Sequence, residues 1–220
     1  MPQKTKNTPM MEQYLSIKEQ YPDAFLFYRL GDFYELFHDD AMKAAKLLEI
    51  TLTSRNKNAD EPIPMCGVPY HAAAEYIRRL VEMGHKVAVC EQMEDAKLTK
   101  GMVRREVVRV ITPGTFLNEN GSESKTNNYL DSVKKNEAGG YGLGYVDIGT
   151  GELKVTLLTN EDAVFNELQT LPFKEIVLDT KTADGLTEKL EKHFGILVSI
   201  QAKLIPETDF HDLVADLPQQ

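Results

Sequence analysis

The stretch GDFYELF, residues 31–37, decides how the first part of this chain folds. A run rich in aromatic and β-forming residues, 24–30, precedes it, and the leading glycine permits a tight turn that larger side chains would strain. We therefore predict a hairpin whose second strand is 33–37. Because side chains alternate along a strand, Phe33 and Glu35 lie on one face. The pattern by itself favours a half-buried structural strand in which Glu35 is merely solvated.

The segments around the hairpin predict a small mixed α/β domain, 1–115. Thr8 followed by Pro9 is typical of a helix start. The segment 62–69 contains three prolines and cannot donate a full ladder of hydrogen bonds, which indicates an edge segment or a shaped loop. The remaining predicted elements are helices over 10–20, 38–49 and 71–83 and strands over 50–53, 86–91 and 105–111.

A second domain, 129–220, follows a polar linker at 116–128. Its pattern predicts three antiparallel strands and then a helix, a strand, a helix and a strand. That order is typical of a ribonuclease H-like fold, so the fold class of the whole chain is α/β, or α+β. The predicted elements are strands over 129–134, 141–148, 152–158, 174–178 and 196–200 and helices over 160–170 and 182–194.

Charge is divided unevenly between the two halves of the chain. The net charge is −9. Residues 1–115 carry 16 Lys and Arg against 16 Asp and Glu, whereas residues 116–220 carry 9 against 18. All seven arginines lie in the first part, and arginine suits phosphate and groove contacts. The asymmetry indicates two domains with different partners, although a neutral domain is not in itself evidence of DNA binding.

The composition is that of a soluble globular protein, with 42% hydrophobic and 27% charged residues. No run approaches the roughly 20 apolar residues of a membrane span, and the N-terminus lacks the apolar region of a secretory signal. Cys66 and Cys90 lack the spacing of a metal site, so we expect free thiols. These observations predict a cytoplasmic protein.

Four segments carry a family resemblance. FYRLGDFYELFHDDA (27–41) resembles the mismatch-recognition hairpin of the MutS family of bacterial DNA mismatch repair proteins. EPIPMCGVPYHA (61–72), VAVCEQ (87–92) and KGMVRREVVRVITPGT (100–115) resemble the same family in the same order. The resemblance implies a mismatch-recognition domain followed by an incomplete, ribonuclease H-like connector domain.

The resemblance gives Phe33 and Glu35 the family's roles in the minor groove at a mispaired or unpaired base. An apolar wedge between base steps unstacks them at a cost of a few kcal/mol, and the cost is lower where pairing is already broken. A carboxylate is repelled by phosphates, so Glu35 makes sense only as a hydrogen-bond partner for a base. The pair would therefore test the integrity of the duplex rather than its sequence.

Further contacts with the DNA backbone or groove are implied by the same resemblance. For each basic residue, a solvated strand edge is an equally good interpretation; Tyr70 could be a core residue, and His71 could cap a helix. Phosphate contacts position a protein without specifying sequence. The implied residues are Arg55, Lys57, Met65, Gly67, Pro69, Tyr70, His71, Lys100, Arg104 and Arg105.

No G-x-x-x-x-G-K-[ST] phosphate loop occurs in the sequence. The resemblance therefore implies an N-terminal fragment with no catalytic residues, no metal site and no ATPase activity. ATP and Mg would be cofactors of the parent protein only. MutL would be the downstream partner, through the connector domain, and mismatched double-stranded DNA the ligand. The parent would be a homodimer and the fragment a monomer.

Two other function classes remain open. A metal-dependent nuclease of ribonuclease H type would need carboxylates on the first strand, a helix and the end of the fourth strand. Asp131 or Asp147, with Glu167 and Asp179, fall near such places. A non-catalytic protein-interaction module, with a purely structural hairpin, is the other alternative.

Overall fold

A computed structural model of the chain describes residues 8–56, 61–94, 99, 101–116 and 128–202. The chain divides into two compact units, 1–116 and 117–220. Lys57, Lys100 and almost all of the predicted linker lie outside the described residues.

A six-stranded mixed sheet forms the first unit, in the order β3-β4-β2-β1-β5-β6. Strand β1 pairs antiparallel with β2 and parallel with β5. This register brings the end of β1, the start of β2 and the end of β4 together at one end of the strands. The strands are β1 (Ala24–Leu30), β2 (Phe33–Phe37), β3 (Thr53–Arg55), β4 (Ile63–Pro69), β5 (Lys86–Gln92) and β6 (Arg105–Ile111).

Helices cover both faces of this sheet. Helices α2 (His38–Leu48) and α3 (Ala73–Glu82) pack on one face around a core that includes Tyr34 and Leu36. Helix α1 (Pro9–Lys18) packs on the other face, where Phe37 belongs to a second core. The alternation of β2 thus divides its side chains between two cores, as the sequence predicts.

Two local predictions for the first unit were wrong. A strand was expected at 50–53, but it runs Thr53–Arg55, after Glu49 ends α2 in the left-handed conformation with φ 56°. The proline-rich segment is also no edge: β4 lies between β3 and β2. It tolerates its prolines because β3 pairs only with 63–65 and β2 only with 65–69, so neither neighbour requires a complete ladder.

The second unit is a five-stranded sheet in the order β11-β10-β7-β8-β9. The first three strands are antiparallel neighbours, and β10 and β11 add parallel to β7. This arrangement confirms the α/β class and the ribonuclease H-like strand order. The strands are β7 (Tyr129–Lys135), β8 (Tyr141–Asp147), β9 (Glu152–Leu158), β10 (Phe173–Asp179) and β11 (Leu197–Gln201).

Helices of the second unit pack on one face of its sheet through Val164, Leu168 and Leu190. They are α4 (Glu161–Leu168), α5 (Thr180–Ala183) and α6 (Thr187–Phe194). The single helix predicted at 182–194 is therefore two. Gly185, with φ 78°, lies in the break between them, because a right-handed helix cannot continue through a left-handed residue.

Among the helices that the structure describes, none combines the length and the apolar character that a membrane crossing requires.

Candidate functional site

Phe33 lies at the tip of the β1–β2 hairpin. Leu30 and Phe33 are register partners, so the loop between them has only two residues, and Gly31 at its first position has φ 60°. That conformation suits the twist of a two-residue hairpin and favours glycine. Phe33 leaves 46% of its surface exposed. Phe37, four residues further along β2 and on the same face, is fully buried. An exposed aromatic ring at a short, glycine-formed tip is available to a partner.

Glu35 lies on the same face as Phe33 and is half-buried. Its carboxylate oxygen Oε2 is 3.4 Å from Nη1 of Arg55 on β3. Burial raises the pKa of the Glu35 carboxyl, and the positive charge of Arg55 opposes that rise. Loss of the Arg55 contact would therefore leave a carboxyl with a greater tendency to take up a proton.

Gly67 leaves space beside these two side chains. It is the register partner of Glu35 on β4. A Cβ atom added to Gly67 would lie 3.3 Å from the Tyr34 carbonyl oxygen, 3.5 Å from the Glu35 Cγ and 3.9 Å from a Phe33 ring carbon. The first contact is tighter than ordinary packing, so a side chain at this position would crowd the hairpin face.

Tyr70 is a second exposed ring near the tip. Its side chain leaves 53% of its surface exposed. Its backbone N–H donates to the Asp32 carbonyl at 2.8 Å, and it follows Pro69, the register partner of Phe33. The structure thus brings Phe33 and the Gly67–Tyr70 segment together at the tip of the hairpin. Arg55 is the register partner of Ile63, at the other end of β4, and its long side chain reaches Glu35 from there.

Arg104 and Arg105, two of the predicted phosphate contacts, differ in their surroundings. Arg105 is half-buried, with its guanidinium 5.0 Å from the centre of the Tyr28 ring. Its Nε donates to the Arg29 carbonyl at 2.7 Å, and its Nη1 donates to Val103 and Gln13. Arg104 has a 62% exposed side chain and an ion pair with Glu106 at 3.1 Å. An internal role for Arg105 therefore stands beside its predicted phosphate contact.

Two other predicted contacts, Met65 and His71, differ in their exposure. Met65 is half-buried and packs against the core beneath α1, and His71 lies exposed in a 3-10 turn, Tyr70–Ala72, ahead of α3. Their contacts with DNA stay predictions.

Three residues around the tip have no role in the sequence analysis. Arg29 lies in the hairpin itself, and its Nε donates to the Gly31 carbonyl. Glu91 and Gln92 contact the hairpin from β5: Glu91 accepts from Tyr34, and Gln92 accepts from the Gly31 N–H. Glu91 and Gln92 lie in VAVCEQ, one of the four segments with a family resemblance. The signal was thus present, but strand pairing was needed to connect 87–92 with the hairpin.

The described carboxylates of the second unit do not gather into a metal centre. Asp147 accepts from the backbone of the 149–150 turn, and Asp179 caps α5 through the Thr182 N–H. Asp131 is fully buried on β7, and neither of its oxygens has a hydrogen-bond partner among the described residues. Within the described ranges, no group of three or more His, Cys, Asp or Glu side chains is spaced to hold a metal ion.

Comparison with known families gives two matches that together span most of the chain. The family model for MutS domain I matches residues 8–120, and the family model for MutS domain II matches residues 128–216. The first match covers more than half of the chain.

Three curated relatives from Geobacillus and Listeria are each named DNA mismatch repair protein MutS. The relative from Geobacillus sp. (strain WCH70) is 50% identical over 212 residues, which is 96% of this chain and 25% of the relative. The relative from Geobacillus thermodenitrificans (strain NG80-2) is 53% identical over 194 residues, 88% of this chain and 21% of the relative. That from Listeria monocytogenes serotype 4b (strain CLIP80459) is 51% identical over 197 residues, 89% of this chain and 23% of the relative. The chain spans about a quarter of the length of these relatives.

Proposed function

Because this chain belongs to the MutS family of DNA mismatch repair proteins, we propose that its first unit examines duplex DNA for mispaired or unpaired bases. Phe33 enters the minor groove and wedges between base steps, and Glu35 hydrogen-bonds the displaced base. The exposure of the Phe33 ring at the tip of the hairpin is the observation that carries the proposal.

The position of Phe33 in the hairpin supports the role of a wedge. The backbone of Phe33 is paired on both sides, with Leu30 of β1 and Pro69 of β4. The ring therefore projects from a strand rather than from a loose loop. Pushing a ring between base steps costs a few kcal/mol, and the cost falls where a pair is already broken. A ring held in this way therefore distinguishes damaged pairing from sound pairing without contacting a specific sequence.

Glu35 adds a penalty against sound duplex. Its charge is repelled by the phosphates, and a base that offers a hydrogen bond compensates that repulsion. Burial raises the pKa of the carboxyl, so a protonated Glu35 could also donate to a base acceptor when DNA excludes water from the site.

ATP hydrolysis and partner binding are proposed for the longer parent protein rather than for the residues of this chain. The sequence has no phosphate loop, and the described residues hold no carboxylate group fit for a metal, so we assign no ATPase step to this chain. ATP and Mg are cofactors of the longer parent protein, which we propose is a cytoplasmic homodimer. The parent communicates mismatch recognition to MutL through the connector domain. Contacts with the DNA backbone come from Arg55, Lys57, Lys100, Arg104 and Arg105. The 65–71 segment lies near the DNA groove.

A graft tests the proposal in a protein of family length. Residues 8–216 of this chain replace the matching residues of the Geobacillus thermodenitrificans relative, and fluorescence anisotropy compares a G·T heteroduplex with its homoduplex at physiological salt. We expect the graft to bind the heteroduplex more tightly. Equal binding of both duplexes by a folded graft would contradict the proposal, provided that the ungrafted relative prefers the heteroduplex under the same conditions.

A further inference from the structure

The two-residue turn that presents Phe33 is held from outside the hairpin at both of its residues. The Gly31 N–H donates to the side-chain oxygen of Gln92 on β5 at 2.9 Å. The Asp32 carbonyl accepts the Tyr70 N–H at 2.8 Å. A turn tied to β5 on one side and to the segment after β4 on the other has little freedom to swing with its ring.

Arg29, the last residue but one of β1, connects these ties. Its Nε donates to the Gly31 carbonyl at 2.5 Å, and its guanidinium carbon lies 3.9 Å from the centre of the Tyr70 ring. The same guanidinium lies 5.4 Å from the centre of the Tyr34 ring, so it is held between two aromatic rings. Only 16% of the Arg29 side chain is exposed. This arrangement leaves little of the cation for phosphates.

Glu91 completes the cluster from β5. It accepts a hydrogen bond from the Tyr34 hydroxyl, and its other oxygen lies 3.9 Å from Nη1 of Arg29. Tyr34 is the residue between Phe33 and Glu35, on the opposite face of β2. Glu91 therefore reaches across β1 and fixes the face of β2 that lies behind the two DNA-facing side chains.

The chemistry of the cluster requires arginine. A planar guanidinium can stack on a ring and donate from Nε in one fixed geometry, whereas a lysine ammonium is a compact point charge with no planar face and no fixed donor direction. The partial burial of the Arg29–Glu91 pair makes removal of one partner costly, because the other charge is left poorly compensated. Both points indicate a cluster built to hold a shape.

We infer that Arg29, with Glu91 and Tyr34, is a positioning residue: it locks the 31–32 turn so that Phe33 and Glu35 meet DNA in a fixed orientation. This inference rests on the proposed function. It gives Arg29, a charged residue beside the tip of the hairpin, a role other than phosphate contact.

The test uses the 220-residue chain, with Arg29→Lys and Tyr34→Phe as variants and Arg78→Lys as the matched control. Arg78 pairs with Glu75 and Glu82 on its own helix, so its substitution makes the same chemical change away from the hairpin. Amide hydrogen exchange measures how readily the hydrogen bonds of the 31–32 turn open. We expect exchange at Gly31 and Tyr70 to become about tenfold faster in Arg29→Lys and to stay unchanged in the control. The melting temperature should match that of the control.

A second measurement reports whether the turn matters for DNA. Nuclear magnetic resonance follows the isotope-labelled Phe33 ring while a duplex with one unpaired base is added to saturation, which makes weak binding sufficient. The wild-type ring should shift strongly, and both cluster variants should lose most of that shift while shifts at remote basic residues persist.

The outcomes separate the inference from the function on which it rests. A cluster variant whose ring responds as the wild type does would overturn the positioning role alone. A large drop in melting temperature, with the loss of shifts throughout the first unit, would overturn it in favour of a general structural role. A wild-type ring that responds to neither an unpaired-base duplex nor a homoduplex would refute the proposed function, and the positioning role with it.

Discussion

Arg55 on β3 and Glu35 on β2 form an ion pair that spans the intervening strand β4, with 3.4 Å between Nη1 and Oε2. The Arg55 side chain is 38% exposed and that of Glu35 21%. Both partners are therefore accessible to solvent. Under the proposed function each reduces the effect of the other: Arg55 moderates the repulsion of phosphates by Glu35, and Glu35 moderates the attraction of phosphates by Arg55.

Substitution Glu35→Ala should tighten binding to perfectly paired DNA. It removes a charge that phosphates repel and that offsets the positive charge of Arg55. We expect the homoduplex affinity of the graft to rise several-fold, with a steeper dependence on salt, because Arg55 then meets the phosphates without a paired carboxylate. Anisotropy titrations at two salt concentrations measure both quantities. Glu19→Ala, which removes an exposed carboxylate at the end of α1, is the control, and a homoduplex affinity that is unchanged or weaker in Glu35→Ala would contradict the prediction.

Substitution Phe33→Ala should abolish the preference of the graft for a G·T heteroduplex. Weak, salt-sensitive duplex binding should persist, because phosphate contacts do not depend on the ring. The control is Met42→Ala on α2, since Met42 and Phe33 are equally exposed, at 46%, and both substitutions remove a large apolar side chain. Undiminished discrimination in Phe33→Ala would refute the wedge, and loss of discrimination in Met42→Ala would point to a defect of the whole unit.

Asp131 should make the second unit less stable as the pH rises. Burial without a hydrogen-bond partner among the described residues raises the pKa of its carboxyl to about 7, from an unfolded value near 4. The folded state therefore binds the proton more tightly than the unfolded state. The stabilisation is fully present below pH ~4 and is lost as the pH rises through about 7. Its size is on the order of 4 kcal/mol at most, since each unit of pKa difference corresponds to about 1.4 kcal/mol.

Denaturant unfolding of Asp131→Asn at pH 5, 6, 7 and 8 measures this effect as the difference from wild type. The substitution removes the titrating group, so the variant should gain stability relative to wild type across this range and be the more stable protein at pH 8. Asp184→Asn, at an exposed position in the same unit, should leave the pH profile unchanged. A wild-type profile parallel to that of Asp131→Asn would show that Asp131 does not titrate in this window.

The two cysteines should resist alkylation in the folded chain. Cys66 and Cys90 are free and fully buried, and burial raises their pKa values to about 11 and about 12. The thiolate is the reactive form, so little of it is present at pH 8. Mass spectrometry should find neither residue modified by iodoacetamide under native conditions and both modified in denaturant. Rapid native labelling of either thiol would mean that its core opens readily.

Local patterns in the sequence predicted the hairpin well, because alternation and a glycine turn act between near neighbours. They located Phe33 and Glu35 on one face and placed both ends of β2 correctly. The position of β4 inside the sheet and the contact of Glu91 with Tyr34 depend on pairing between distant segments, 57 residues apart in the second case. Composition cannot encode such pairing, so the residues that tie the turn were found only in the folded structure.

The 220-residue chain alone should bind DNA weakly, with little mismatch discrimination, even though Phe33 is exposed. Linked contacts can raise apparent affinity by 10²–10⁴, and this chain, about a quarter of the length of its relatives, has one wedge to offer. Residues 116–220 also carry the whole net charge of −9, which opposes approach to phosphates. Anisotropy with matched and mismatched oligonucleotides at physiological salt tests the binding, and sedimentation tests the expectation that the chain is a monomer. The graft, measured in parallel, is the control. Nanomolar, mismatch-selective binding by these residues alone would mean that a single hairpin, correctly positioned, suffices for discrimination and that the rest of the family's architecture serves other steps.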